Sequence, residues 1–253
     1  MTVTDRWLQF EGLSNIRDVG GLPVRGGGVT RSGVLLRSES LESVTPQDVR
    51  TLREDFDLRL ILDLRTDREI ARHGESPLAA EGVETAQFSF IPEAGLALPE
   101  TEDDVHPMVG HYLGYLSERG ANVVGAVRRL VAAEGAALVH CAAGKDRTGT
   151  LVALVLETVG VQREAVVEDY ALSAERIDAL FRKWTAASGE EMPSAEELDR
   201  HRPRADAMAR VLAVLDERDG GAAAWLQANG LTDSELAALR AKFLEEGAEK
   251  LRP

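Results

Sequence analysis

The sequence predicts an α/β fold built on one central sheet. Three observations lead there. Short β-prone stretches dominate the first half of the chain, and alanine- and leucine-rich stretches at helical spacing dominate the second. An apolar run at 135–139 leads into a polar, glycine-containing loop, and a helix-forming apolar run at 151–159 leads out. That is the pattern of a strand, a tight loop and a helix start. A further apolar run, 58–64, contains Asp63 and is followed by Arg65; the two stand where α/β sheets place the groups that meet ligands, and an Asp–Arg pair or a helix cap is an equal reading of them. No composition shift, internal repeat or low-complexity tract divides the chain, so one domain over residues 1–253 is expected.

The elements follow in order. Residues 13–37 begin Leu-Ser-Asn-Ile-Arg-Asp-Val-Gly-Gly, and glycines punctuate β-prone pieces at 22–25 and 29–31. This reads as a hairpin followed by a strand at 33–37. Asn15, Arg17 and Asp18 stand at its entrance. Turn chemistry with an Arg17–Asp18 pair is favoured over a buttress for the loop at 141–147. Thr45 as N-cap and Pro46 at the first helical position start a helix to about residue 56. The run 58–64 is a strand, and Thr66 or Asp67 caps the next helix. Residues 83–90 alternate as a strand. Proline, glycine and acidic residues break 91–107, a loop long enough to be a lid or a solvated insertion. Helical periodicity returns over 108–133 with a break near Gly120. Beyond the loop at 141–147 a helix runs to 159, where Gly160 ends it. Helices are expected at 161–172, 174–184, 195–217, 222–228 and 232–246, with a linker at 188–194. Thr232-Asp-Ser-Glu235 is a capping box.

Composition excludes several functions. A net charge of -14 argues against general adhesion to nucleic acid or anionic membranes, so an anionic ligand must be gripped locally. No run approaches the length of a membrane span. The single cysteine, Cys141, excludes an internal disulfide or a multi-cysteine zinc site and fits a reducing compartment. Residues 1–10 lack the apolar core of a secretory signal. The expected location is the cytoplasm, or outside the cell by a route without a signal peptide. His106 and His111 do not have the spacing of helical metal ligands, and they are read as ordinary polar residues.

The chemistry concentrates in Leu138-Val-His-Cys-Ala-Ala-Gly-Lys-Asp-Arg-Thr-Gly149. In a strand–loop–helix turn the loop N–H groups point inward at a helix N-terminus, where the dipole favours an anion. The same donors stabilise Cys141 as a thiolate. Arg147 adds a planar fork suited to phosphate oxygens. A thiolate, an oxyanion cradle and a bidentate arginine form a device for attacking phosphorus. A nucleotide-hydrolysing loop is excluded, because Gly144-Lys145 is followed by Asp146 instead of Ser or Thr.

His140-Cys141-x5-Arg147 resembles the signature of cysteine-dependent phosphatases. The full string His-Cys-Ala-Ala-Gly-Lys-Asp-Arg-Thr-Gly resembles a narrower family, the bacterial tyrosine/serine protein phosphatases related to lipid phosphatases. Asn15-Ile-Arg-Asp-Val-Gly-Gly21 and Leu62-Asp63-Leu64-Arg65 are similar to two further elements of that family. The resemblance implies a cysteine-phosphatase-like fold: a central, mostly parallel sheet flanked by helices, a helical C-terminal region over 161–253 and a lid within 91–120. It implies hydrolysis of phosphotyrosine, with phosphoserine, phosphothreonine or phosphoinositides as further substrates. The reaction would pass through a phosphocysteine, release inorganic phosphate and use neither metal nor cofactor. Partners would be a phosphorylated protein or a phosphoinositide, with no nucleic acid and no stable membrane insertion.

The family's roles carry over residue by residue. Cys141 is the nucleophile. Arg147 and the N–H groups of Ala142, Ala143, Gly144, Lys145, Asp146 and Arg147 itself hold the phosphate oxygens. Asp146 is the general acid, with Asp63 as the second candidate. Thr148 donates to the sulfur, and His140 orients the cysteine. Lys145 adds a second positive charge at the mouth, which in this family accompanies acceptance of phosphoinositides. Two other readings compete. One is a sulfur-transferring or arsenate-reducing enzyme on a similar loop, which would need resolving thiols or leave Arg147, Thr148 and Asp146 unused. The other is a catalytically inactive phosphate-binding module, which the intact Cys141, Arg147 and acids argue against.

Overall fold

The computed structural model describes residues 6–97 and 106–244. Its strands are β1 (Arg17–Asp18), β2 (Leu35–Ser38), β3 (Leu58–Asp63), β4 (Glu84–Gln87) and β5 (Ala136–His140). They form one five-stranded sheet in the order β1-β2-β5-β3-β4. β1 runs antiparallel to β2, and every other neighbouring pair is parallel. The fully buried strands β2 and β5 lie inside the sheet, and the polar, largely exposed β4 closes one edge.

Alternation along the strands gives the sheet two apolar faces. Leu36, Ile61 and Leu138 pack on one side with Leu13, Ile16, Leu52 and Val83. Leu35, Leu60, Leu62, Ala137 and Val139 point to the other side and build the larger core with the helices. On the smaller face lies α1 (Pro46–Arg50), and α2 (Asp67–His73) follows β3. The larger face carries α3 (Pro107–Ala132), α4 (Asp146–Val159), α5 (Arg163–Leu172), α8 (Ala205–Asp219), α9 (Ala222–Ala228) and α10 (Asp233–Phe243). Every residue of α4 from Arg147 onward is buried, and its run 151–156 is apolar on every side. α6 (Ile177–Ser188) and α7 (Ala195–Arg200) make a small separate cluster of Ile177, Leu180 and Leu198, against which Ala143 packs.

Helix starts obey the capping rules. Thr45, Thr66, Ser194 and Thr232 each close a capping box with an acidic residue three positions on, each worth about 1 kcal/mol. Several boundaries differ from the sequence reading. The first helix changes at Thr51 to a wider π turn through Asp55. The stretch 195–217 is two helices, since Pro203 follows Arg202 and the residue before a proline is pushed out of the helical region. The break expected near Gly120 is a kink at Arg119, with φ -129° and ψ 26°, inside one continuous run. Part of the expected lid, 98–105, lies outside the described residues. No helix among the described residues is long and apolar enough to cross a membrane.

Candidate active site

β5 delivers the site from the middle of the sheet. Its last residue, His140, is fully buried, and Cys141 follows at 2% exposure. The Leu64 N–H donates to the His140 carbonyl at 3.0 Å, which ties the end of β3 to the end of β5. Gly144 then turns the chain at φ +71°. A Cβ there would stand 2.3 Å from the Ser38 carbonyl oxygen, so only glycine fits.

The loop carbonyls are pulled outward one after another. Ala142 O accepts from the Ser40 N–H at 2.9 Å. Ala143 O accepts from Asn15 Nδ2 at 2.8 Å, and Gly144 O from Arg37 Nη2 at 2.9 Å. With the carbonyls turned to the outside, the peptide N–H groups face the opposite way. Among the described residues, none of the N–H groups of 142–148 donates to a protein acceptor. Successive unpaired N–H groups at a helix start form a concave anion site.

Arg147 opens α4 beside the thiol. Its Nη1 and Nη2 donate to the two carboxylate oxygens of Glu69 at 2.7 and 2.6 Å, and Nη1 lies 3.4 Å from Leu64 O. A guanidinium has five donors. The end-on clamp therefore leaves the Nε/Nη2 edge as a second fork, the geometry that matches two oxygens of a phosphate. Burial works against the Arg147 charge, but the Cys141 sulfur and Glu69 outweigh it and hold its pKa above the ordinary value. Burial likewise opposes the Glu69 charge. Arg147 and the Thr66 cap overcome this and pull Glu69 down to about 2.

Asp146 is held from the core side. Tyr112 donates its hydroxyl to Asp146 Oδ1 at 2.6 Å and is itself 2.6 Å from the Tyr170 hydroxyl. Lys145 Nζ sits 3.3 Å from Asp146 Oδ2 and donates to the His201 carbonyl at 2.7 Å, which joins the loop to the end of α7. Burial first, then the Asp146 charge, raises the pKa of Tyr112, Tyr115 and Tyr170, so all three phenols remain protonated donors. The Thr148 hydroxyl is buried without a hydrogen-bond partner among the described residues.

Beneath the loop lies a cluster of buried charges. Asp169, 1% exposed, receives Arg6 at 2.8 Å, Arg17 Nε at 3.2 Å and Arg37 at 2.6 Å. Burial opposes its charge, and Arg17, Arg37 and Arg6 together hold its pKa far below the carboxylate range. Arg17 pays for its position: burial first, then the neighbouring Arg37 charge, lowers it to about 9. Arg17 also donates to Asn15 Oδ1 at 3.1 Å, so the network reaches Ala143 through Asn15. The expected Arg17–Asp18 pair does not form. Asp18 instead accepts the N–H groups of Gly20 and Gly33 at 2.8 and 2.7 Å, and Arg17 points inward to the buried carboxylate of Asp169.

Asp63 lies apart from Asp146. Its oxygens accept from Arg65 Nε and Nη2, and its Oδ2 stands 3.7 Å from His140 Nε2. Arg65 is in turn paired with Glu42. Burial opposes the Asp63 charge, and His140 and Arg65 outweigh it, keeping its pKa below the ordinary value. His140 Nδ1 is 3.2 Å from the Cys141 carbonyl. Burial lowers the His140 pKa, opposed by Asp63, and Nδ1 faces the cysteine backbone.

Sequence reasoning missed Glu69, Arg37, Asp169, Tyr112 and Tyr170. Glu69 had a local signal, the capping box with Thr66, but nothing local announces its second partner 78 residues away. Asp169 and Tyr170 sit on the buried side of α5, a charge and a phenol facing inward on a helix, which is the pattern a closer look at that segment could have flagged.

Comparison with known proteins agrees with this site. A model of the tyrosine phosphatase family matches residues 8–245, and the chain belongs to that family. It is a phosphate-ester hydrolase of the protein-tyrosine phosphatase class. A tyrosine-protein phosphatase from Nostoc commune is 27% identical over 220 residues, covering 84% of this chain and 74% of the relative. The triple specificity protein phosphatase PtpB of Mycobacterium tuberculosis is 29% identical over 204 residues, covering 68% and 71%. Among solved structures, the core catalytic domain of the PP-IP phosphatase SIW14 from S. cerevisiae aligns at a TM-score of 0.35 and 15% identity over 76% of this chain and 93% of that one. That overlap is too loose to bear on fold or function.

Proposed function

We propose that the protein is a cysteine-dependent phosphomonoester hydrolase that acts on phosphotyrosine, with phosphoserine, phosphothreonine and phosphoinositides as further substrates. One observation carries the reading: the thiol of Cys141 opens a loop whose N–H groups have no partner among the described residues, beside an arginine held by Glu69 with one fork left over. Cys141 attacks phosphorus as the thiolate. The S–P bond forms as the bond to the leaving oxygen breaks. The loop N–H groups and Arg147 hold the equatorial oxygens and meet the charge that develops there.

Asp146 gives its proton to the leaving oxygen. As a carboxylate it then takes a proton from the water that attacks the phosphocysteine, which releases inorganic phosphate and restores the thiolate. We favour Asp146 over Asp63, because Asp146 lies in the loop itself while Arg65 engages both oxygens of Asp63. The buried hydroxyl of Thr148, two positions into α4, supports the view that it steadies the sulfur. Lys145 at the mouth and the triple specificity of the mycobacterial relative support the wider substrate range.

Turnover of p-nitrophenyl phosphate by the wild type and by Cys141→Ser tests the reading. Activity abolished by the substitution is the expected result. A folded wild type without turnover would make the chain a phosphate-binding module. Comparing phosphotyrosine peptides, phosphoserine peptides and phosphoinositides then ranks the substrates.

A further inference from the structure

We propose that Tyr112 is the positioning residue of the general acid: its hydroxyl, fixed by Tyr170, holds Asp146 Oδ1 and leaves Oδ2 to carry the proton delivered to the leaving group. This rests on Asp146 being the acid.

With Asp146 as a carboxylate, the geometry sets the direction of the chain. Tyr112 has one hydroxyl hydrogen and spends it on Asp146 Oδ1 at 2.6 Å. The 2.6 Å contact between the two phenols therefore has Tyr170 as donor and Tyr112 as acceptor. Asp146 Oδ1 is the end of a directed relay from α5 through α3 to the loop. When Asp146 is neutral, its proton sits on the other oxygen.

Both rings are buried, at 0% and 1% exposure, and meet edge to face with centroids 5.9 Å apart. Phenylalanine would fill the same space, and at position 112 it leaves the Tyr170 hydroxyl without its acceptor, so each tyrosine is substituted in turn. The fold also makes room for this contact. A Cβ at Gly149, on the first turn of α4, would lie 2.7 Å from the Tyr170 ring, so the helix that carries Asp146 is shaped to admit it. The other groups facing Asp146 are Lys145 at 3.3 Å from Oδ2, Tyr115 of α3, whose pKa the Asp146 charge raises, and His201 at the end of α7, which also feels that charge. None of them engages Oδ1.

A misplaced acid is felt most where the leaving group needs a proton. The test is steady-state kinetics of the wild type, Asp146→Asn, Tyr112→Phe and Tyr170→Phe on p-nitrophenyl phosphate, whose leaving group is acidic, and on phenyl phosphate, whose leaving group is not. Inhibition by inorganic phosphate reports the integrity of the loop. Asp146→Asn is expected to lose about 10²-fold in kcat/KM, which reports the step that expels the leaving group, on phenyl phosphate and clearly less on p-nitrophenyl phosphate. Tyr112→Phe is expected to lean the same way, about tenfold against about twofold, with KM and phosphate inhibition little changed. Tyr170→Phe should show a smaller bias of the same sign, and it keeps the test open if Tyr112→Phe does not fold. Equal losses on both substrates in the tyrosine variants, beside a steep bias in Asp146→Asn, would overturn the positioning role alone. No bias in Asp146→Asn would overturn the acid and this inference with it.

Discussion

At the scale of single residues, the arginine and the thiol depend on neighbours they do not touch in sequence. Glu69 spends its carboxylate twice, on the Thr66 cap of α2 and on the Arg147 fork. Glu69→Ala frees the guanidinium to swing, and misplacing a positioned group can cost about 10²-fold. We expect kcat/KM to fall by up to that amount, with weaker phosphate inhibition; unchanged phosphate inhibition would show that the clamp does not orient Arg147. Cys141 has no second cysteine to trap an oxidised sulfur. Peroxide should convert it to sulfenic acid and then irreversibly to higher acids. Inactivation that added thiol reverses only at early times, and that inorganic phosphate slows, is the expected pattern. Full activity after prolonged peroxide would contradict a reactive thiolate.

At the scale of elements, β5, the loop and α4 were legible because they are contiguous. The apolar run, the glycine and the helix start of α4 each carry a local signal, and Gly144 sits where its φ of +71° requires it. The supports of the loop were not legible. Arg37 meets Asp169 across 132 residues and Asn15 meets Ala143 across 128, and no periodicity reports such pairings. The Asn15-Ile-Arg-Asp stretch shows the cost: local reasoning favoured an Arg17–Asp18 pair, whereas the sheet brings Asn15 and Arg17 under the loop and leaves Asp18 to a turn. Asn15→Ala should release the Ala143 carbonyl, a partly buried hydrogen bond worth about 1 kcal/mol. Weaker phosphate inhibition, about tenfold, is expected alongside any loss of stability. Asp169→Asn leaves the buried arginines without their anion, and breaking such a pair costs about 3–5 kcal/mol. Thermal unfolding should move down by roughly 10 °C or more. An unmoved midpoint would show that water, not Asp169, balances those charges.

For the whole molecule, acid stability follows from the same buried groups. Asp63, Glu69 and Asp169 have folded pKa values below their ordinary ones, and so does His140. The unfolded chain therefore binds more protons as pH falls, and stability rises with pH over that range. The His140 contribution is complete above about 6.5 and is lost below it; the carboxylate contributions are complete above about 4.5 and are lost as pH falls toward 2. Asp18 opposes them, since burial raises its pKa. Urea midpoints should decline gently below pH 6.5 and steeply below 4.5; midpoints flat from pH 7 to 4 would contradict this. The central claim is that one sulfur carries the phosphate between substrate and water. Rapid acid quench during turnover, followed by peptide mass spectrometry, reads it directly, and the slow Asp146→Asn variant should prolong the intermediate. The account predicts one phosphate per chain on the peptide that contains Cys141 and none in Cys141→Ser. Phosphate on another residue, or turnover that persists in Cys141→Ser, would contradict it.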